Sequence, residues 1–282
     1  MKKLLAVLLA ALMLASVTAC SPELEGSDIS AVQIEREEID KHFTVETGTF
    51  TYEYIDSASV RVVAYDGMIE LHDLVIPAVM NDKAVVEIAD DAFDYCSNLR
   101  SVTVPASVKV IGKNAFAFCG KLAYAYIPAS LSTLGSSAFA FCDNLEKVVF
   151  TNPESAALKT ISSSAFHGCV SLAEINLPAT VTEIGAGAFF KCEVLYTIEL
   201  PASLEKIGAQ AFDSCTSLRV LVMPEALTLC EAYAFAKCNS LVEVTFANTD
   251  RWSADVSNSA AAYDALVKDF QNALVKAPVA AQ

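Results

Sequence analysis

The sequence contains few of the residues from which most active sites are built. Its three histidines, His42, His72 and His167, lie far apart along the chain. No Ser/His/Asp arrangement, carboxylate pair or metal-ligand spacing converges on any of them. The ten glycines do not form the clustered loop that binds a phosphate. The sequence therefore predicts no catalytic residues, no metal and no cofactor, and an enzyme is the least favoured class of function.

Positive charge is also scarce. The 282 residues include 19 Lys plus Arg against 34 Asp plus Glu, which gives a formal net charge of −15. A surface with this balance repels the phosphate backbone of nucleic acid. Nucleic acid is therefore not expected as a partner.

Repetition, by contrast, dominates the chain. An Ala-Phe pair recurs seven times, at steps of 23 residues except for one step of 27 residues, and a cysteine and a leucine follow each pair in fixed register. The equivalent positions are Phe93, Phe116, Phe139, Phe166, Phe189, Phe212 and Phe235; Cys96, Cys119, Cys142, Cys169, Cys192, Cys215 and Cys238; and Leu99, Leu122, Leu145, Leu172, Leu195, Leu218 and Leu241. A period of this length is typical of a solenoid, in which each unit buries its apolar face against its neighbours.

The residues after each leucine alternate in polarity. In the second unit this pattern predicts a short strand with Ala125 and Ile127 facing one way and Tyr124 and Tyr126 facing the other. A turn after the proline, a second extended segment and a short helical turn at the Ala-Phe pair complete the unit. Stacking such units predicts an α/β repeat solenoid that is mainly β, with a parallel sheet and short helical turns. The step of 27 residues comes from an insertion at residues 151–155, which is expected to form a loop on one rim.

The repeated cysteines allow more than one interpretation. Equivalent residues of neighbouring units lie one strand apart, which is within the reach of a disulfide. One cysteine per unit on the inner side, in an odd number, is more simply explained as a small apolar residue with a buried free thiol. Spacing of this kind without a histidine beside it is not typical of a metal site. Buried thiols are therefore the favoured prediction, with disulfides as the alternative.

The first residues are typical of an export signal. Two lysines precede an apolar run over residues 4–15, which is too short to span a membrane. The ending Val17-Thr18-Ala19-Cys20 resembles the lipobox of bacterial lipoproteins, and that resemblance implies cleavage before Cys20 and a lipid on its thiol. Cleavage after Ala19 as an ordinary leader is the alternative. A lipidated Cys20 would anchor the protein to a membrane without spanning it.

The patterns together predict five segments. They are a lipoprotein-type signal peptide at 1–19, an acidic tether at 20–47, an N-terminal β cap with a half repeat at 48–87, seven repeats of about 23 residues at 88–252, and a C-terminal helical cap and tail at 253–282. The β cap is predicted from two alternating segments around residues 50–54 and 60–64, joined as a hairpin. The helix of the last segment is predicted from apolar residues at helical spacing over 260–275.

The repeat pattern resembles the BspA-like leucine-rich repeats of bacterial surface proteins. It reads Ile-Gly-x-x-Ala-Phe-x-x-Cys-x-x-Leu-x-x-Val-x-Ile-Pro, and it is represented by Ile184-Gly185, Ala188-Phe189, Cys192, Leu195, Ile198 and Leu200-Pro201. The resemblance covers about residues 69–252 and departs at Cys230, where isoleucine or leucine is expected. It implies a curved, right-handed solenoid and a role in surface adhesion or protein binding.

The candidate binding residues are those that face outward from the strands and differ between repeats. They are Tyr124, Tyr126, Lys147, Val149, Glu174, Asn176, Thr197 and Glu199. The tyrosines and Val149 predict an amphipathic patch of the kind found at interface centres, with an acidic region beside it. The hypothesis is an exported, lipid-anchored surface protein that binds a protein or glycan. The alternative is a structural envelope protein whose strand face is merely solvated, because Tyr, Thr and Val also favour strands.

Overall fold

The computed structural model of the protein describes residues 42–45, 48–67 and 73–246. All of the described residues belong to one compact unit, within residues 41–282. The predicted signal peptide, Cys20, the tether up to residue 41 and the C-terminal helical cap lie outside the described residues. Within the described ranges, no helix has the length and hydropathy needed to cross a bilayer.

Short strands make up most of the described chain. In order they are β1 (His42–Val45), β2 (Gly48–Tyr54), β3 (Ser59–Gly67), β4 (Asp73–Val75), β5 (Val79–Met80), β6 (Lys83–Ile88), β7 (Ser101–Thr103), β8 (Val110–Ile111), β9 (Tyr124–Ile127), β10 (Thr133–Leu134), β11 (Lys147–Phe150), β12 (Thr160–Ile161), β13 (Glu174–Asn176), β14 (Glu183–Ile184), β15 (Lys206–Ile207), β16 (Val220–Met223), β17 (Leu229–Cys230) and β18 (Glu243–Phe246). A single-turn 3-10 helix, Pro153–Ser155, lies in the insertion.

The N-terminal cap is antiparallel, as the alternating segments predict. Strands β1, β2 and β3 pair as a meander, and β3 then pairs in parallel with β6. Strand β1 falls inside the range predicted as the acidic tether, so the cap begins earlier than the sequence indicated. The physical reason is Phe43, which pairs with Phe50 and packs against the core.

Beyond the cap, the strands pair in parallel between successive repeats, which confirms the mainly β solenoid. One side carries the sheet β4-β7-β9-β11-β13 and the smaller sheet β16-β18, and the other side carries β6-β8-β10 and then β12-β14-β15-β17. The alternation within β9 is as predicted: Ala125 and Ile127 are buried, while Tyr124 and Tyr126 are exposed. The parallel pairing is therefore divided between sheets on both sides of the stack.

The Ala-Phe corners are tight turns and not the short helical turns that the sequence predicted. Two residues per corner have left-handed backbone angles, with φ between 52° and 72°, which interrupts a helix. They are Asp91, Asn114, Ser137, Ser164, Gly187, Gln210 and Tyr233 in the first row, and Tyr95, Phe118, Phe141, Gly168, Lys191, Ser214 and Lys237 in the second. Corner amides also bond to the next repeat: the Phe116 N–H donates to the Ala138 carbonyl at 2.7 Å.

The phenylalanines of the repeats form the continuous centre of the core. All seven are buried, and their rings stack with centroids 4.9–5.6 Å apart and planes within 13° of parallel. The longest step, 5.6 Å, joins Phe139 to Phe166 across the insertion. This row, Phe93 to Phe235, is called the inner ladder below.

The repeated cysteines line the inner ladder as free thiols, as favoured by the sequence; six of the seven are buried and Cys96, at the N-terminal end, is half-buried. Cys142 Sγ lies 3.1 Å from the Phe116 carbonyl oxygen of the preceding repeat, and later repeats have the same contact. Burial raises the pKa of Cys192 and Cys215 well above the usual range. Both groups therefore stay protonated near neutral pH, which makes them poor nucleophiles.

Candidate functional site

The predicted face residues of the larger sheet lie in two adjacent rows. Pairing places Tyr124 beside Lys147 and Lys147 beside Glu174, in a row that begins with Asp73 and Ser101. The second row runs through Val75, Thr103, Tyr126, Val149 and Asn176. The first row is mainly polar and the second is mixed, so the face is amphipathic across the strands.

Neighbouring side chains supply hydrogen-bond and ion-pair partners to the residues of the polar row. The Tyr124 hydroxyl donates to Glu146 Oε2 at 3.0 Å, and this hydrogen bond raises the pKa of Tyr124. The Lys147 ammonium forms an ion pair with Glu174, and that hydrogen bond raises the pKa of Lys147. Both tyrosine rings nevertheless keep about two-fifths of their surface exposed, 41% for Tyr124 and 40% for Tyr126.

The larger sheet ends at β13. The corresponding segment of the next repeat, 197–199, is not paired with β13; Thr197 instead forms a bridge with Val220 of the smaller sheet. In the described chain, no backbone hydrogen bond joins 174–176 to 197–199. The strand face is therefore interrupted between these two repeats.

A groove of about 470 Å³ opens at this interruption. Its floor includes Ile175, which is 9% exposed, and Ile198, which is 5% exposed. Equivalent inward residues in intact parts of the face are less exposed, at 1% for Val148 and 0% for Leu221. Where the pairing is missing, the floor residues therefore stay largely buried but are slightly more exposed than Val148 and Leu221.

The insertion forms one wall of the groove, through Pro153 and Glu154. Asn176 fixes the opposite strand to the base of the insertion. The Phe150 N–H donates to Asn176 Oδ1 at 2.8 Å, and Asn176 Nδ2 donates to the Phe150 carbonyl at 2.9 Å. The side chain thus supplies the last connection between β11 and β13 before the sheet ends.

The rim of the groove is acidic. Its charged lining residues are Lys147, Glu154, Glu174 and Glu199, so one positive and three negative charges give a net charge of −2. The Lys147–Glu174 pair is internally balanced. Neither Glu154 nor Glu199 forms an ion pair within the described part of the chain.

The structure gathers most of the predicted site residues around this groove. Six of the eight line it: Lys147, Val149, Glu174, Asn176, Thr197 and Glu199. Tyr124 and Tyr126 lie on β9, next to β11, and do not line the groove. Sequence reasoning missed Glu154 and the groove itself, although the insertion at residues 151–155 was a signal that one rim differs from the others.

A second feature missed from sequence is an outer aromatic row on the corner turns. It consists of Tyr95, Phe118, Phe141, His167 and Phe190, with ring centroids 4.6–4.9 Å apart. Phe118 and Phe141 remain exposed, and burial lowers the pKa of His167. The signal was present in the aromatic residues two positions after Phe93, Phe116 and Phe139. The rings are stacked face to face except for Phe141 and His167, whose planes are tilted by 52°.

Within the described ranges, no group of three or more His, Cys, Asp or Glu side chains is arranged to hold a metal ion. Of the described cysteines, all but the half-buried Cys96 are buried in the core. The strand face combines exposed aromatic rings, a largely buried apolar floor and a charged rim.

The stacked strands, the inner ladder and the 23-residue period define a leucine-rich-repeat type of solenoid. The family profile described as "BspA type Leucine rich repeat region" matches in six copies, over residues 60–157 and 151–256. The chain belongs to this family. No curated protein matches it significantly.

Solved structures of similar proteins come from several bacteria. A leucine rich cell surface protein from Faecalibacterium prausnitzii is 29% identical, with a TM-score of 0.62 over 74% of this chain and 55% of that chain. This protein thus spans little more than half the length of that relative. A leucine-rich repeat protein from Bacteroides ovatus is 20% identical, with a TM-score of 0.42 over 72% of this chain and 70% of that chain. The pneumococcal vaccine antigen PcpA is 19% identical, with a TM-score of 0.36 over 74% of this chain and 82% of that chain.

Proposed function

We propose that the protein is a cell-surface binding module that holds a protein partner on its exposed strand face. The observation that carries the proposal is the continuity of the Tyr124 and Tyr126 patch with the groove lined by Lys147, Glu174 and Glu199. Exposed tyrosines beside an apolar, partly open floor are the composition favoured at the centres of protein interfaces.

The family and one relative support a location at the cell surface. The chain belongs to the BspA-type repeat family, and the Faecalibacterium protein is described as a cell surface protein. A protein interface needs on the order of 800 Å² per partner, which is an area that several adjacent strands can supply. A surface protein that holds a partner through this face fits both observations.

The attachment to the surface is part of the same proposal. Residues 1–19 would be removed on export, Cys20 would carry the lipid, and the acidic segment that follows would separate the repeats from the membrane. Detergent partitioning of the exported protein tests this. We expect Cys20→Ser to move the protein out of the membrane fraction, and retention of that variant in the membrane would overturn the anchor.

The binding role is tested by capturing partners from host matrix extract and from the producer's own envelope. We compare the parent with a Tyr124→Ala/Tyr126→Ala variant and with a matched control, Tyr95→Ala/Tyr233→Ala, which removes two exposed tyrosines from the corner turns. Equal melting temperatures establish that all three are folded. A partner lost only by the first variant supports the strand face as the site. Equal capture by all three moves the site elsewhere, and no capture favours a structural envelope protein.

A further inference from the structure

The groove at the end of the larger sheet has the chemistry of a socket for one long cationic side chain. Its floor is aliphatic, contributed by Ile175, Leu177 and Ile198, and a small part of these inward side chains reaches the groove where the next repeat does not pair with β13. Its volume of about 470 Å³ lies within the usual range for sites that bury a ligand group, about 300–1,000 Å³.

The charged residues at the rim of the groove are mostly acidic, which favours a positively charged ligand group. Glu154 on the insertion and Glu199 on the next repeat line the same groove, and both lack an ion-pair partner in the described part of the chain. Lys147 does not neutralise them, because it is paired with Glu174. The chain as a whole has a net charge of −15, so its field also attracts a cationic partner.

A side chain that satisfies both parts needs an apolar stem and a charged end. Lysine and arginine bury their methylene stems on apolar surface while the charged group stays at the edge. Arginine fits better, because its planar guanidinium can donate to carboxylates in a bidentate manner and is more weakly hydrated than an ammonium group.

We infer that this groove binds an arginine side chain of an extended, basic segment of the protein partner, with its stem on Ile175 and Ile198 and its guanidinium between Glu154 and Glu199. The inference rests on the proposed function and names the chemistry of the partner. Tyr124 and Tyr126, two strands away from the floor, would contact residues that flank the arginine.

The test is an NMR titration of the exported form of the protein. Its isoleucine δ1 methyl groups are isotopically labelled. The probe is a capped pentapeptide, Thr-Val-Arg-Val-Thr. Its control contains citrulline in place of arginine and so has nearly the same shape without the charge. We expect the arginine peptide to shift the methyl signals of Ile175 and Ile198 and to leave those of buried Ile88 and Ile111 in place.

The protein variant is Glu154→Gln/Glu199→Gln. Both residues are exposed and form no ion pair with the residues that the structure describes, so the variant should melt like the parent. Loss of two charge-assisted contacts should weaken binding at least about tenfold. The matched control, Glu193→Gln/Glu205→Gln, makes the same change in net charge at exposed positions outside the groove lining and should leave binding within about twofold of the parent.

Several results would overturn the inference. They are an absence of methyl shifts with the arginine peptide, equal shifts with the citrulline peptide, and equal weakening by the control variant. A neutral oligosaccharide that moves the same methyl groups while the peptide does not would also overturn it. If these results occur while Tyr124→Ala/Tyr126→Ala still loses a captured partner, the arginine socket fails and the binding function stands. Conversely, peptide binding that depends on Glu154 and Glu199, without any partner lost by the tyrosine variant, would support the socket and contradict the tyrosine patch.

Discussion

The inner ladder and the strand face differ in continuity on the C-terminal side of the insertion. Across residues 151–155 the inner ladder lengthens only slightly, to 5.6 Å between Phe139 and Phe166, and its rings stay within 10° of parallel. The strand face continues for one more repeat and then loses its pairing between β13 and Thr197. One side of each repeat thus holds the stack together, while the other side can open.

This difference has a physical basis. A buried phenylalanine loses both burial and stacking contacts if its repeat moves away, so the inner ladder is costly to interrupt. An exposed strand that loses its neighbour can bond to water instead, so the interruption costs less. A solenoid can therefore acquire a binding groove on its strand face without losing its core. Four predictions test this division, from the largest expected effect to the smallest.

Removing a ring from the inner ladder should have the largest effect. Phe189→Ala deletes a fully buried ring that stacks on Phe166 and Phe212, and it should lower the free energy of unfolding by about 3–5 kcal/mol. Thermal and denaturant melts followed by circular dichroism measure the loss. Phe118→Ala removes a ring from the exposed outer row and should cost less than about 1.5 kcal/mol. Similar losses for the two variants would show that the inner ladder does not carry the stability.

Adding a methyl group between two repeats should have the next largest effect. A Cβ at Gly135 would lie 2.4 Å from the Gly112 carbonyl carbon, so the coils must separate to admit it. Gly135→Ala should therefore lower stability by about 1–3 kcal/mol in a denaturant melt. Gly120→Ala is the matched control, because a Cβ there has no atom within 4 Å. If Gly135→Ala melts like Gly120→Ala, the repeats are not packed as closely as described.

A substitution of Asn176 tests the last connection between β11 and β13 before the larger sheet ends. Asn176→Ala removes two hydrogen bonds to the Phe150 backbone and should lower the free energy of unfolding by about 1 kcal/mol. The same variant should raise hydrogen exchange at the Phe150 amide. Thr197→Ala, on the other side of the interruption, should change stability by less than about 0.5 kcal/mol. A larger loss at Thr197 than at Asn176 would contradict the position of the break.

The Lys147–Glu174 pair should have the smallest effect. Both side chains are about half exposed, so Lys147→Gln should lower stability less than Phe189→Ala, Gly135→Ala or Asn176→Ala. We expect the parent and the variant to have nearly the same melting temperature at low salt and again at 1 M salt. A loss as large as that of Phe189→Ala would mean that the strand face carries stability comparable to that of the inner ladder.

Much of the fold could be predicted because every repeat has nearly the same pattern of apolar and polar residues. The alternation in Tyr124–Ile127 predicted which side chains face the core, and the common register of Cys192 and its equivalents predicted buried thiols. The corners were predicted wrongly as helical turns. Left-handed backbone at residues such as Phe118 and Lys191 arises from hydrogen bonds to the neighbouring repeat, and residue type does not indicate it.

The candidate site was predictable only in part. The outward position of Glu174 and Glu199 follows from strand alternation, but their meeting at a groove depends on which repeats fail to pair. That failure is a property of two neighbouring coils and of the insertion wall at Glu154, so no single repeat encodes it. Whether these residues bind a partner is still a prediction.

The most direct test of the division between core and face is native-state hydrogen exchange at single amides. The Phe189 amide bonds to the Ala211 carbonyl at 2.7 Å and should exchange only on global unfolding. The Tyr124 amide, on the intact face, bonds to the Arg100 carbonyl at 3.2 Å and should also be protected. The equivalent amide of Thr197 has no backbone acceptor in the described chain and should exchange orders of magnitude faster than either. Protection of Thr197 equal to that of Tyr124 would show that the strand face is continuous, and the groove proposed as the binding site would not exist in solution.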